Sequence, residues 1–233
     1  MVKNHMKRIT APRSWSVSRK TSKFITKPSP GAHKLEQAVS INTFLKELVN
    51  VTSTTKESKF VLTNDEVLIN GRRRRDFKAQ VGFLDVVSVK SSNLNFLVSV
   101  NNKGELKPKE LGDKEATKRL LKISGKTILG KDKVQINTFN GENLLVKEKD
   151  AKSFKVGDSL IVEVSSLKVV EHVPLKEKSL VFVFTGKHSG KSGVLESINN
   201  KIVSVKNNDE EFETSKDYLL AVNKEKIAEL ELK

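Results

Sequence analysis

Leu180-Val181-Phe182-Val183-Phe184-Thr185-Gly186-Lys187-His188-Ser189-Gly190-Lys191-Ser192-Gly193-Val194-Leu195-Glu196-Ser197-Ile198 supports two incompatible readings. Gly190-Lys191-Ser192 after an apolar run has the outline of a phosphate-binding loop, which would make the chain a nucleotide hydrolase. That loop requires G-x-x-x-x-G-K-[ST] opening a helix, so that backbone N–H groups and the positive helix end meet the phosphate. Here Thr185 stands where the first glycine belongs, and starting from Gly186 leaves the spacing one residue short. Beyond Gly193 the chain alternates like a strand, turns at Asn199-Asn200 and alternates again through Lys201-Ile202-Val203-Ser204-Val205. No Walker-B-like partner is evident. The stretch therefore reads as β-turn-β, punctuated by Gly186, Gly190 and Gly193, with Lys187, His188 and Lys191 at the loop.

Upstream, residues 91–170 read the same way. Leu94, Phe96, Val98 and Val100 alternate into a turn at Asn101-Asn102-Lys103-Gly104, and Lys133–Asn137, Asn143–Val146 and Leu160–Val164 give further short strands. Asp113 to Lys122 is predicted as a helix, with Ala116 and Leu120 on one face. Frequent turns between short strands suggest a small barrel or sandwich. Residues 40–90 differ. Ser40 caps a predicted helix whose Ile41, Phe44, Leu45, Leu48 and Val49 form one apolar stripe. Thr54 and Glu57 form a capping box for a second helix running through Phe60, Val61 and Leu62. A strand at Glu66–Ile69, a tight turn at Asn70-Gly71, the run Arg72-Arg73-Arg74-Arg75, and a turn into a strand over Gly82–Val89 complete a helix, helix, strand, strand order. The fold class is α+β and multidomain.

The 233 residues carry 43 Lys+Arg against 28 Asp+Glu, for a net charge of +15, with no cysteine. Disulfides, thiolate zinc sites and cysteine nucleophiles are thereby excluded. No apolar run nears the roughly 18 residues of a membrane span, and the basic N-terminus lacks the apolar stretch of a secretory signal. The charge is uneven: residues 1–34 hold nine cations and no acid, for +9, whereas residues 171–233 sum to −1. Pro12, Pro28, Pro30 and Gly31 break regular structure in this arm, which is expected to be largely disordered alone. An acid-free arm with one Trp suits nucleic acid, with cations meeting phosphates and Trp15 stacking on a base. Only eight of the 43 cations are Arg, and four of them are Arg72–Arg75. Arg offers a planar fork that binds phosphate bidentately, so its concentration beside a tight turn marks a second RNA contact. The four His are scattered without acids at ligand spacing, no G-x-S-x-G elbow occurs, and neither a metal nor a cofactor is expected. The acidic residues Asp209, Glu210, Glu211 and Glu213 around Phe212 read as a solvated loop or a contact with a partner protein, and Lys224–Leu232 as a short helix.

The β-turn-β unit resembles a KOW motif. His5-Met6-Lys7-Arg8-Ile9-Thr10-Ala11-Pro12-Arg13-Ser14-Trp15 resembles the H-L-K-R-x-x-A-P-x-x-W opening of the archaeal and eukaryotic small-subunit ribosomal protein family S-four-e. Lys27-Pro28-Ser29-Pro30-Gly31-Ala32-His33-Lys34-Leu35 is similar to its R-P-S-x-G-P-H-K-L segment, with Ala32 where the family usually has Pro. Ile69-Asn70-Gly71 with Asp76, then Gly82–Val89, is similar to its S4-like domain, though four consecutive Arg is richer than usual. The resemblance implies a basic extended N-terminal extension (1–39), a small S4-like RNA-binding module (40–90), a central β-barrel-like domain (91–172) and a C-terminal KOW, SH3-like β domain with a short, archaeal-type tail (173–233). It implies a non-enzymatic constituent of the cytoplasmic small ribosomal subunit. Its partners would be small-subunit rRNA and neighbouring ribosomal proteins, with no membrane and no small-molecule substrate. The RNA contacts expected on this basis are Lys7, Arg8, Arg13, Trp15, Arg19, Lys20, Lys27, His33 and Lys34 in the arm; Arg72, Arg73, Arg74, Arg75 and Lys78; and Lys187, His188 and Lys191. Two rival readings stay open: a KOW-type transcription elongation or RNA-binding factor, and an RNA-modifying enzyme such as a pseudouridine synthase. The first needs a polymerase-binding domain that is not seen; the second needs a larger catalytic domain than residues 91–170 offer.

Overall fold

The structure is a computed structural model that describes residues 4–130, 132–199, 201–207 and 210–232. Asn200, in the expected Asn199-Asn200 turn, and Asp209, in the acidic run, lie outside the described residues. The chain is mostly strands with a few short helices and divides into two compact units, residues 1–99 with 105–116, and residues 100–104 with 117–233.

In the first unit, Ser40 caps a short helix as expected, its Oγ accepting from the Thr43 N–H at 3.3 Å. Ile41–Thr43 continues as a wide turn, Phe44–Leu48, closed by Val49 N–H on the Phe44 carbonyl at 3.0 Å. Asn50 ends it at φ +60°. The apolar stripe buries Ile41, Phe44 and Leu45. The second helix, Thr55–Asn64, carries both halves of the Thr54/Glu57 capping box. Of its apolar residues Leu62 is buried, whereas Phe60 points outward. Asn70 and Gly71, at φ +52° and +75°, make the tight turn between strands Val67–Ile69 and Arg72–Arg73. A five-stranded sheet then runs Arg72–Arg73, Val67–Ile69, Val86–Val89, Leu94–Val100, Leu106–Leu111 in spatial order. A second strand pair joins Ala38–Ser40 to Gln80–Gly82.

The arm is not disordered, which corrects that expectation. Met6–Lys7 pairs with Phe24–Ile25, and Leu106 N–H donates to the Ser14 carbonyl at 2.7 Å. Composition misled because the arm is polar and proline-rich, yet Met6, Ala11, Trp15 and Ile25 find core positions, while Ile9 and Phe24 stay exposed.

The second unit holds two five-stranded sheets. The first runs Asn143–Lys147, Lys133–Thr138, Lys118–Ile128, Ser159–Glu163, Val169–Val173 around Leu121, Ile123, Ile136, Leu160 and Val162. The helix expected over Asp113–Lys122 is only a single turn, Asp113–Ala116. From Lys118 the chain is a strand, with Leu120 paired to Ile161 and Leu121 to Leu160. Cross-strand burial of the Leu pair overrides the modest helical preference of Lys-Arg-Leu-Leu-Lys.

The other sheet runs Glu211–Ser215, Ile202–Lys206, Ser192–Asn199, Leu180–Val183, Leu219–Ala221, with core residues Val181, Val183, Leu195, Val203, Val205, Phe212 and Leu219. The decisive loop is β-turn-β: the Ser192–Asn199 strand occupies the place a phosphate-binding helix would need. Gly190 is at φ +80°, and a Cβ there would lie 2.5 Å from the Asn101 carbonyl carbon, so the loop packs only without a side chain. The acidic segment is not a loop from Glu211 onward. It is an edge strand that buries Phe212 and turns its glutamates outward. Within this unit Lys122 Nζ donates to the Asp217 carbonyl at 2.6 Å and faces the Phe184 ring at 5.2 Å. Burial, only partly offset by the Asp217 charge, pushes Lys122 down to about 8. The C-terminal helix spans Lys224–Leu230. No helix among the described residues is long and apolar enough to cross a membrane.

Candidate nucleic-acid interface

The cations expected to meet RNA fall into two groups once each is placed. Several are structural. Arg8 is 5% exposed, and its guanidinium grips both carboxylate oxygens of Glu47, one at 2.9 Å, while Nε donates to the Ser18 carbonyl. Arg19 donates to the Ala11 and Pro12 carbonyls at 2.8 and 3.0 Å. Trp15 is 2% exposed, and its indole N–H donates to the Leu35 carbonyl at 3.1 Å. In this fold neither Trp15 nor Arg8 faces solvent. Both are corrected to fold-holding roles, and Arg19 spends its guanidinium on the arm's own backbone.

His33 is likewise enclosed. Its Nε2 lies 2.9 Å from Asp85 Oδ2, and Asp85 also accepts from Asn70 Nδ2 and the Gly82 N–H, each at 2.8 Å. Asn70 Oδ1 accepts in turn from the Val86 N–H at 2.9 Å. One carboxylate thus ties the end of the arm, the tight turn before the arginines and the Gly82 turn into one network. Burial opposes the imidazolium, but the hydrogen bond and charge of Asp85 outweigh it and raise the His33 pKa. For Asp85 burial likewise opposes the charge, and His33, Asn70 and the Gly82 N–H together hold the carboxyl below its usual range. A Cβ on Gly82 would come 2.5 Å from the imidazole, so glycine is needed for this close approach. The second unit repeats the device: Asp158 accepts from the Lys155 and Leu175 N–H groups, each at 2.9 Å, with His172 Nε2 at 2.8 Å.

The other cations face solvent. Lys7, Arg13, Lys20 and Lys34 are exposed on the arm, and Arg72, Arg73, Arg74 and Arg75 are all exposed on the hairpin. Arg73 is aimed by a hydrogen bond to the Thr63 carbonyl at the end of the second helix, 3.1 Å long. The chain after the arginines runs beside the arm, with the Ser29 N–H donating to the Lys78 carbonyl at 2.8 Å. Lys27 and Lys78, on these two adjoining segments, are half-buried. The Phe77 ring is covered by Lys59 Nζ at 4.5 Å and Lys78 Nζ at 5.7 Å. Lys56, Lys59 and Phe60 were missed as candidates. Their signal was helical spacing: Lys56 and Phe60 occupy the face opposite Ser58 and Leu62, and Lys59 lies on its flank.

On the loop of the last sheet, Lys187 is exposed, but His188 lies flat on Phe212 with ring centroids 4.4 Å apart. Lys191 pairs with Glu210, whose carboxyl it holds low, and sits over the same ring at 5.7 Å. Of this trio, Lys187 alone extends clear of the sheet. Among the described residues no three His, Asp or Glu gather as a metal site would require.

A strand-rich, two-unit chain with a four-arginine hairpin set against a lysine-bearing helix defines a basic protein that exposes a cluster of cations in its first unit. Comparison with known proteins shows the family. The RS4NT (NUC023) domain matches residues 2–36 and Ribosomal family S4e matches residues 92–169. The small ribosomal subunit protein eS4 of Methanococcus aeolicus is 33% identical, covering 96% of each chain. That of Methanocella arvoryzae is also 33% identical, over 98% of this chain and 97% of the relative. The crystal structure of the 30S ribosomal protein S4e from Thermoplasma acidophilum superposes with a TM-score of 0.69 at 26% identity, covering 82% of this chain and 97% of that one. The chain belongs to the small ribosomal subunit protein eS4 family.

Proposed function

We propose that the chain is a structural, rRNA-binding constituent of the small ribosomal subunit, and that its main RNA-facing element is the Arg72–Arg75 hairpin. The observation that carries this is the exposure of all four guanidinium groups on a turn fixed by Asn70 and Asp85. A turn held in place presents the forks together, and each planar fork can bind phosphate bidentately. In this reading residues 40–90 act as an S4-like module, the middle sheet as a barrel-like spacer, and the last sheet with its Lys187 loop as a KOW module. Neighbouring ribosomal proteins complete the partners, and the chain works without catalysis or cofactor. Arg13, Lys7, Lys20 and Lys34 add phosphate contacts from the arm.

Replacing Arg72–Arg75 with Ala in the full chain tests the assignment. For every phosphate that goes unneutralised, the slope of log affinity against log salt should fall by about 0.7–0.9. The variant should keep its unfolding midpoint, because no arginine of the run is buried. An unchanged slope would assign the run to solvent. In a cell extract, the tagged chain should stay with the small-subunit peak of a sucrose gradient after a high-salt wash; co-migration with RNA polymerase would favour the transcription-factor alternative.

A further inference from the structure

We propose that Phe60 is a stacking platform for one unpaired base of the bound RNA. The inference rests on the rRNA-binding reading above and adds to it a side chain that Trp15 was expected to supply. The Thr55–Asn64 helix buries Ser58 and Leu62 and turns Phe60 away from them, leaving it 65% exposed, more than Phe24 or Tyr218. A single exposed apolar side chain needs no explanation by itself. Its surroundings supply one. Lys56, one turn before it, is exposed on the same helix face. One turn after it, the Thr63 carbonyl holds the guanidinium of Arg73 at 3.1 Å. The ring thus lies along the helix between two cations.

The one acid a turn away, Glu57, is directed back onto the helix start, where its carboxylate accepts the Ser53 and Thr54 N–H groups at 2.8 and 3.3 Å. The nearby Phe77 ring already carries the Lys59 ammonium on its face, whereas the Phe60 face is open. An open π-face flanked by phosphate-neutralising groups matches a nucleotide, which offers one flat base and an anionic link on either side. A lone ring among cations gives a protein partner little apolar area, so the RNA is the better fit.

Full-length chain is titrated with naked small-subunit rRNA at fixed salt, as parent, Phe60→Leu and Phe60→Trp. Leucine keeps apolar area but lacks the π-face, and exposure at this position leaves the fold intact. Loss of one base stack should weaken Phe60→Leu by about 5- to 150-fold with an unchanged salt slope, and Phe60→Trp should bind at least as well as the parent. Parental affinity in Phe60→Leu, while the parent binds with steep salt dependence, overturns the stacking role and leaves the ring to a protein neighbour. Absence of salt-dependent rRNA binding by the parent itself overturns the RNA reading first, and the Phe60 proposal with it.

Discussion

His33 shows how one side chain can serve the fold while belonging to a basic arm. Its imidazole is enclosed against Asp85, and the two perturb each other in opposite senses. A histidine whose folded pKa is raised contributes stability that is complete below its unfolded value of 6.5 and is lost as pH rises through the folded value. An aspartate whose folded pKa is depressed contributes stability that is complete above its unfolded value of 3.8 and is lost as pH falls through the folded one. The latch is therefore complete between those two unfolded values and weakens on the alkaline side as His33 loses its proton. Urea unfolding of parent and His33→Gln at about pH 5.5 and 8.5 checks this. The gap in stability between them should be clear at the lower pH and shrink at the higher. An equal gap at both would mean that the imidazole only fills space.

At the scale of elements, the Thr54/Glu57 box holds the start of the helix that carries Lys56, Lys59 and Phe60. Thr54→Ala removes the acceptor of the Glu57 N–H, and should cost about 1 kcal/mol in the unfolding free energy without altering the sheet. A cost near zero would mean that Glu57 alone suffices as a cap. This box, the Asn70-Gly71 turn and the Ser40 cap were legible in the sequence because each is closed by residues within a few positions of one another. The same holds for the refusal of the phosphate-binding loop, since the alternation after Gly193 already excluded a helix. The illegible features depended on distant partners. Nothing near Lys118 announces that Ser159–Glu163 will pair with it and make the segment a strand. Nothing near Arg8 announces Glu47, and Trp15 reads as a stacking residue until the Leu35 carbonyl and a core position are found for it. Charge segregation marked the arm as basic; it could not say which of its cations the fold uses. Asp85 was visible only as one letter of a strand, although it gathers three separate segments.

At the scale of the whole molecule, that division of labour should appear in binding thermodynamics. A net charge of +15 suggests an indiscriminate polycation, yet many cations are already spent. Arg8 is held by Glu47, Lys191 by Glu210, Lys226 by Glu229, and Lys206 by Glu196 and Glu211. Only cations that reach phosphates release counterions, so on the proposed reading the salt slope should count the exposed Arg72–Arg75 and arm residues rather than the 43 Lys+Arg. About 6–10 such contacts would lower affinity about 10³–10⁵-fold between 50 and 200 mM salt. Arg8 and Arg13, only five residues apart, separate the two kinds of cation. Arg13→Ala should leave the unfolding midpoint unchanged and lower the slope by about 0.7–0.9. Arg8→Ala leaves Glu47 without its bidentate partner and should destabilise by about 3 kcal/mol, the low end for a buried pair because Glu47 keeps some water contact. Measured below its unfolding transition, Arg8→Ala should bind rRNA with the parental slope. If instead both variants lose the same slope and neither loses stability, the arm is released from the first unit when RNA binds, and its cations act as one flexible set.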